Sequence, residues 1–478
     1  MLIETLIRHA NSQPDAVALV STARSWTWRE YEQAVSALAA ELQQAGVQRL
    51  GLALENGPRW IIADLACLEA GIVCVPIPAF FSPQQRSWVI RSAGLDAILS
   101  EPSPAEGDSV PVSAGQLHRL FCADRPALHR DTVKITYTSG TTGQPKGVCL
   151  RQRGIEWTAS ALATAMEPLA LARHLVVLPL STLLENICGG YVPLLLGVTT
   201  VIPAAAEVGF TGSSQFSHEV FAGALLRWQP QSLVLVPELL RVLSFLHSRM
   251  PAVTASLKFV AAGGGKVSVA LLHAAREAGL PVYEGYGLSE CGSVVTLNLP
   301  DNAQAGSTGR PLPGVDVSFD ASGTLLVASP GNAAGYLGEA PFGAQVNTGD
   351  LAERDPSGFI HINGRARNVQ ITAFGRNFSP EWIEAEAMSC GAVRRIVLFG
   401  EGLKRNVALI HAMEGMESAA REQLTALSAA LPDYARPHHL IFTPVISSPE
   451  LMTANGRPRR DAIWTLMKHQ IQNCEEYI

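Results

Sequence analysis

The chain has 478 residues, 47% of them hydrophobic and 16% charged, with 42 acidic against 36 basic side chains and a formal net charge of −6. That balance belongs to a folded globular protein and excludes a disordered one; length alone suggests roughly two to four domains. With no lysine- or arginine-rich block, the sequence excludes nucleic acid as an expected partner.

The N-terminus, MLIETLIRHANSQPD, carries Glu4 and Arg8 inside its apolar part and does not read as a secretory signal. Helical patterns over 27–44 and 60–70 alternate with strand-like runs at 48–54 (QRLGLAL) and 72–77 (IVCVPI). Val133, Ile135 and Tyr137 then alternate with Lys134 and Thr136, the period of a strand. Directly after it comes YTSGTTGQPKGV (137–148). Glycines there let successive N–H groups converge on an anion, the Ser and Thr hydroxyls add donors, and Lys146 adds a point charge. The stretch does not fit a Walker A loop, G-x-x-x-x-G-K-[ST], so it reads as a phosphate loop of another kind.

Further strand-like runs follow at 174–180 (HLVVLPL), 232–237 and 257–262. Residues 186–206 carry no charge, but Gly189, Gly190, Pro193, Gly197 and Pro203 interrupt them. This predicts a helix and a buried strand, not a membrane span. The β/α alternation predicts parallel-type sheets layered with helices. After the strand-like 281–284 stands YGLSE (286–290), with a carboxylate beside a hydroxyl. From Val315 to Ile362 the pattern shifts to short strands with Gly and Pro turns, including NTGD (347–350) and ending at NGRARN (363–368).

Past Gly364 the pattern changes again, to strands near 393–399 and 406–411 and helices near 380–389, 416–430 and 459–472. The fold class expected is therefore α/β. A large N-terminal domain, 1–364, includes a small β-rich part, and a small mobile α+β domain covers 365–478. MTANGRPRRDA (452–462) puts a glycine before three arginines near the end. The eight cysteines form no C-x-x-C pair and no Cys/His metal spacing, and read as reduced thiols of a soluble cytoplasmic protein. No G-x-S-x-G elbow and no Rossmann fingerprint occurs, and SHEVF (217–221) lacks the second histidine of a zinc motif.

Each of these motifs alone has a plain reading as a turn, a cap or a linker. Their order, TSGTTGxPKG, YGxSE, TGD, GR and a C-terminal T-x-x-G-basic run, resembles the adenylate-forming family of acyl-CoA synthetases, luciferase and peptide synthetase adenylation domains. The resemblance runs from WTWREYEQAVSALAAEL (26–42) through ACLEAGIVCVPIP (66–78) and GSTGRPLPGVDVSF (306–319) to the arginines near 457.

It implies ATP-dependent conversion of a carboxylic acid to an acyl adenylate, then transfer to the thiol of CoA or of a phosphopantetheine carrier. Acyl carrier protein is thus an implied partner. Thr138, Ser139, Gly140, Thr141, Thr142 and Lys146 would hold the β- and γ-phosphates. Glu290 would coordinate Mg²⁺ beside Ser289, where the family usually has threonine. Tyr286, followed by Gly287, would stack on adenine with Gly264 and Gly265 on its other side. Asp350 would bind the ribose hydroxyls and Arg365 the ribose or phosphate. Arg367 would be the hinge of the C-terminal domain, where the family has Asp or Lys. ITAFGRN (371–377) is one residue longer than the usual loop.

The main departure is Arg457, where the family has the lysine that bridges carboxylate and α-phosphate. It keeps the charge with a wider, planar fork. A catalytically impaired nucleotide- or acyl-binding relative is therefore one alternative, and an adenylate donor to an acceptor other than CoA is another. Amino-acid-activating members place an Asp at the position of Leu180, and no carboxylate lies between 175 and 184, which disfavours an α-ammonium. LPLSTLLEN (178–186) is similar to the long-chain acyl type, with Thr182 for its histidine, and EGYG (284–287) to the Q-G-Y-G of fatty-acyl and aryl members. An apolar acid, fatty or aryl, is expected in a pocket of Leu183, Leu184, Ile187, Val236 and Gly285.

Overall fold

The computed structural model describes residues 1–101, 109–121, 125–138, 145–210, 216–371, 377–401, 403, 405–453 and 457–476. Among them two large sheets carry the chain up to Pro311. The first runs Gly335–Tyr336, Lys146–Arg151, Thr132–Thr138, Val73–Pro76, Arg49–Ala53, Ala97–Ser100, Gly115–Arg119 and Ser109–Val112. Its centre is parallel and its edges antiparallel. In the second, strands Val282–Tyr286, Phe259–Ala262, Ser232–Leu235, Arg173–Leu175, Thr199–Val201 and Val17–Val20 are parallel neighbours.

The helices between the sheets follow from local sequence. In Trp28–Gln44, Thr27 and Glu30 form a reciprocal cap, and Trp28, Tyr31, Val35, Leu38 and Leu42 fall on one buried face. Pro58–Ala70 is buried over nearly its whole length, as an apolar helix between two sheets must be.

One local expectation is corrected. The strand expected over 174–180 ends at Leu175. Pro179 has no N–H to offer a ladder, and the Asn56 side chain takes over the neighbouring groups, donating to Leu178 O (2.9 Å) and accepting from Leu180 N (2.9 Å). Strand Thr132–Thr138 is buried on both faces, not only on its apolar one. Lys134 is fully buried, with Nζ 2.8 Å from Asp64 Oδ1 and 2.8 Å from the Tyr191 hydroxyl. That pair pins the strand to the helix Pro58–Ala70. Within the uncharged stretch, a widened π-helical turn, Asn186–Tyr191, leads into helix Val192–Leu196 and strand Thr199–Val201.

Strands Asp316–Phe319, Thr324–Ala328, Val346–Arg354 and Ile360–Arg365 form a separate antiparallel sheet. Beyond it, Val393–Phe399, Asn406–Ala412 and Pro437–Phe442 make a three-stranded sheet with helices Pro380–Ala387, Glu417–Ala430 and Arg460–Glu476. The apolar clusters around this last sheet draw only on residues from Phe378 onward. No described helix is long and apolar enough to cross a membrane.

Candidate active site

Strands Thr132–Thr138 and Lys146–Arg151 pair antiparallel, with Thr138 opposite Lys146. Ser139, Gly140, Thr141 and Thr142 lie outside the described residues. Lys146 Nζ sits 2.8 Å from Glu339 Oε1 and 4.7 Å from the centre of the Tyr336 ring. Tyr336 is brought there by strand Gly335–Tyr336, which pairs with Lys146–Arg151. Its hydroxyl donates to Glu290 Oε1 at 2.7 Å. Burial and the Glu290 charge hold that phenol well above its ordinary range. Lys146 and Glu290, 144 positions apart in sequence, therefore share one aromatic neighbour.

Glu290 and Ser289 occupy a short 3-10 turn after strand Val282–Tyr286. Gly287 permits it: a Cβ there would lie 1.7 Å from Ser293 O, so no other residue fits without moving the backbone. Tyr286 turns its hydroxyl to Asp350 Oδ2, 2.6 Å away. Asp350 faces Arg365 in register across antiparallel strands, and Arg365 Nε closes on Asp350 Oδ1 at 2.7 Å. Arg365 also donates to Thr348 O, and its backbone N–H donates to Glu381. Burial pushes the Asp350 carboxyl up, while Arg365 and Tyr286 pull it the other way.

Gly264 and Tyr286 line a common cavity, and Gly265 lies beside Pro237. Arg457 donates to Gly264 O at 2.8 Å. Thr453 accepts from Arg457 N, while Ala454–Gly456 lie outside the described residues. Arg367 is exposed in a short turn, Ala366–Asn368, on the C-terminal side of the Asp350–Arg365 pair. Glu386 ties the C-terminal part to the core by accepting from Ser268 Oγ (2.9 Å) and Val269 N (3.1 Å) at the start of helix Val269–Glu277.

The cavity measures about 240 Å³ and lies between the second sheet and the helices at 152–166 and 183–196. Leu183, Leu184 and Gly285 line it, as does Ser289. Ile187 is fully buried in the main core, and Val236 packs against the core as N-cap of helix Pro237–Arg249; neither is among the lining residues. Leu180 is likewise core. The motifs did not point to Tyr336 or Glu339, nor to His174 and Ser232 on the cavity wall or to Glu185 beside His174. Glu185 falls one position past 175–184, the stretch without a carboxylate.

A family model described as "AMP-binding enzyme" matches residues 6–337. Among curated proteins, a 2-succinylbenzoate–CoA ligase of Bacillus pumilus is 26% identical, over 83% of this chain and 84% of that protein. The medium/long-chain-fatty-acid–[acyl-carrier-protein] ligase FadD10 of Mycobacterium tuberculosis is also 26% identical, over 97% and 94%. Among solved structures, the anthranilate CoA ligase AuaEII in complex with anthranoyl-AMP superposes with a TM-score of 0.81 at 19% identity, covering 98% of this chain and 97% of that one.

Proposed function

Because the chain belongs to the AMP-binding enzyme family, we propose that it activates an apolar carboxylic acid, fatty or aryl, with ATP and Mg²⁺. In the first step a carboxylate oxygen attacks the α-phosphorus, the bond to the β-phosphate oxygen breaks, and acyl-AMP and pyrophosphate result. In the second the thiol of CoA or of a phosphopantetheine carrier attacks the acyl carbon, AMP departs with the bonding electrons, and the thiol loses its proton. The acids and acceptors in the relatives' names support both steps: succinylbenzoate and CoA in one, fatty acids and acyl carrier protein in the other.

The observation that carries this reading is the row Lys146–Tyr336–Glu290 beside the cavity wall at Ser289. Two anions must meet in the first step, and charge then moves onto the leaving pyrophosphate; cations placed in advance stabilise that shift. Lys146 supplies one, aimed from the base of the glycine-rich segment. Glu290 is a single carboxylate, the donor set that suits a magnesium ion arriving with phosphates and keeping several waters. Mg²⁺ bound there would neutralise phosphate charge. Asp350 fits the ribose because its carboxylate has four acceptor positions and Tyr286 and Arg365 use two.

The segment after Gly364 works as a lid over residues 1–364, with Arg367 at its hinge. Its separate apolar clusters support this, as does Gly364 itself, at φ +139°, where a Cβ would lie 2.1 Å from Ser379 Oγ. The protein acts in the cytoplasm, where ATP and thiol acceptors meet. Mass spectrometry of a reaction holding ATP, Mg²⁺, an acid panel and either CoA or a loaded carrier tests the proposal. An acyl-AMP that turns into a thioester is the expected product pair. An adenylate transferred to neither thiol points to another acceptor. No adenylate with any acid points to the impaired relative that Arg457 suggests.

A further inference from the structure

Most of the cavity wall is apolar, but its inner end is not. His174, Ser232 and Phe259 stand side by side in register on three parallel strands, and all three line the cavity. Ala262, the last residue of that strand and also on the cavity wall, lies three residues beyond Phe259, about 10 Å at about 3.3 Å per residue, and Gly264 follows at the nucleotide end. The inner row is therefore where the part of the acid farthest from its carboxylate would rest.

The polar groups there are built in. His174 is only 4% exposed, and its Nδ1 is 2.9 Å from Ser232 Oγ. Its Nε2 finds no hydrogen-bond partner among the described residues. Glu185 Oε1 is 3.8 Å away, beyond hydrogen-bond reach, and neither oxygen of this fully buried carboxylate meets hydrogen-bond geometry with a described residue, although the backbone N–H groups of Val177 and Leu178 lie near enough to favour its charge. Gly189 lets the two converge: a Cβ there would meet Glu185 Oε1 at 2.5 Å and His174 Nε2 at 3.2 Å. Burial pushes the Glu185 carboxyl above its ordinary range, and His174 acts against that.

Buried polar atoms are nearly always hydrogen-bonded, so an unpartnered Nε2 on His174, a residue of the cavity wall with Glu185 beside it, calls for explanation. A plain hydrocarbon end would leave it so and gain nothing from it. A hydroxyl or amino group can both donate and accept beside an imidazole whose other nitrogen is held by Ser232. We propose that the acid bound here carries such a hydrogen-bonding substituent at the end remote from its carboxylate, recognised by His174 and Ser232 with Glu185 orienting the imidazole. This rests on the reading that the cavity receives the acyl group.

The test uses the full-length protein and matched acids: benzoate and 4-hydroxybenzoate, cinnamate and 4-hydroxycinnamate, octanoate and 8-hydroxyoctanoate. Binding of each is measured by calorimetry with AMP present, and adenylation by pyrophosphate exchange. In at least one pair the hydroxylated member is expected to bind tenfold or more tightly. His174→Leu and the smaller change Ser232→Ala should each bring that ratio to within threefold. If His174→Leu fails to fold, Ser232→Ala decides. Equal or tighter binding of the plain acid in every pair overturns the inference, as does an equal loss for both members in the variants. Discrimination in binding without any exchange keeps the inference and sinks the ligase reading. Exchange confined to plain acids does the reverse, and no binding of any acid ends both.

Discussion

Arg457 reaches from the C-terminal part to the carbonyl of Gly264, 2.8 Å away across 193 positions of sequence. That contact sets a permanently charged guanidinium at the rim of the cavity, within electrostatic reach of Asp350. Arginine holds its charge in any accessible pH range, so the residue is suited to the anionic first step although its fork differs from a lysine ammonium.

Replacing Arg457 by alanine should slow acyl-adenylate formation about 10²–10³-fold, the usual cost of removing one preorganised donor. Thioester formation from a supplied adenylate should be nearly unaffected. Arg457→Lys should stay within about tenfold of the parent, because the point charge returns. Single-turnover assays of the two half-reactions separate these outcomes; equal losses in both would deny Arg457 a role confined to the first.

Asp350 is buried between Tyr286 and Arg365. Asp350→Ala should weaken AMP binding about 10–100-fold, matching about 1.5–3 kcal/mol for hydrogen bonds to a charged group. Titration calorimetry with AMP measures it. An unchanged affinity would remove Asp350 from the nucleotide site.

Lys146 and Glu339 are both about half exposed, at 46% and 51%. Their pair is worth about 0–1 kcal/mol to the fold. Glu339→Gln should leave the melting temperature nearly unchanged and lower the KM for ATP, since it frees the cation for phosphate. A KM that rises instead would mean that Glu339 holds Lys146 in its working position.

Glu284 offers a pH test of strand Val282–Tyr286. Burial raises its carboxyl from 4.5 to about 7, with Lys266 pulling the other way. A raised acid stabilises the fold while it is neutral. That contribution is complete below about 4.5, and it is lost as pH climbs through about 7. The span corresponds to about 3 kcal/mol. Glu284→Gln should therefore melt at nearly the parent temperature near pH 4.5 and above it at pH 8. A gap that is largest in acid would reverse the sign.

Lys134 and Asp64 are buried together. Asp64→Ala leaves a lysine ammonium in the core and should cost about 3–5 kcal/mol. Denaturant unfolding reads this directly, and a loss under 1 kcal/mol would mean that the ammonium finds water.

The residues proposed for the nucleotide were legible in the sequence because they sit on short motifs, each placed by a turn that glycine permits. Tyr286, Glu290, Asp350 and Arg365 are of this kind, and register then joins them. What it did not carry depends on long-range pairing. Lys134 read as the polar half of an alternating strand, yet that strand is central and its lysine meets Asp64 from a distant helix. The end of the strand at Leu175 is set by Asn56, more than a hundred residues earlier. Tyr336 joins Lys146 to Glu290 only because its two-residue strand pairs beside Lys146–Arg151. His174 and Ser232 belong to no motif, Glu185 stands unremarked within LPLSTLLEN, and only parallel register and a glycine at 189 bring them together.

The most direct test is exchange of labelled pyrophosphate into ATP by the purified protein, across an acid panel, with and without Mg²⁺. Label should enter ATP only when both an acid and Mg²⁺ are present, and Lys146→Ala and Glu290→Gln should each lower the rate by about 10²-fold or more. Exchange that survives both substitutions, or none with any acid in a protein that binds ATP, would contradict the assignment of these two residues to the leaving pyrophosphate.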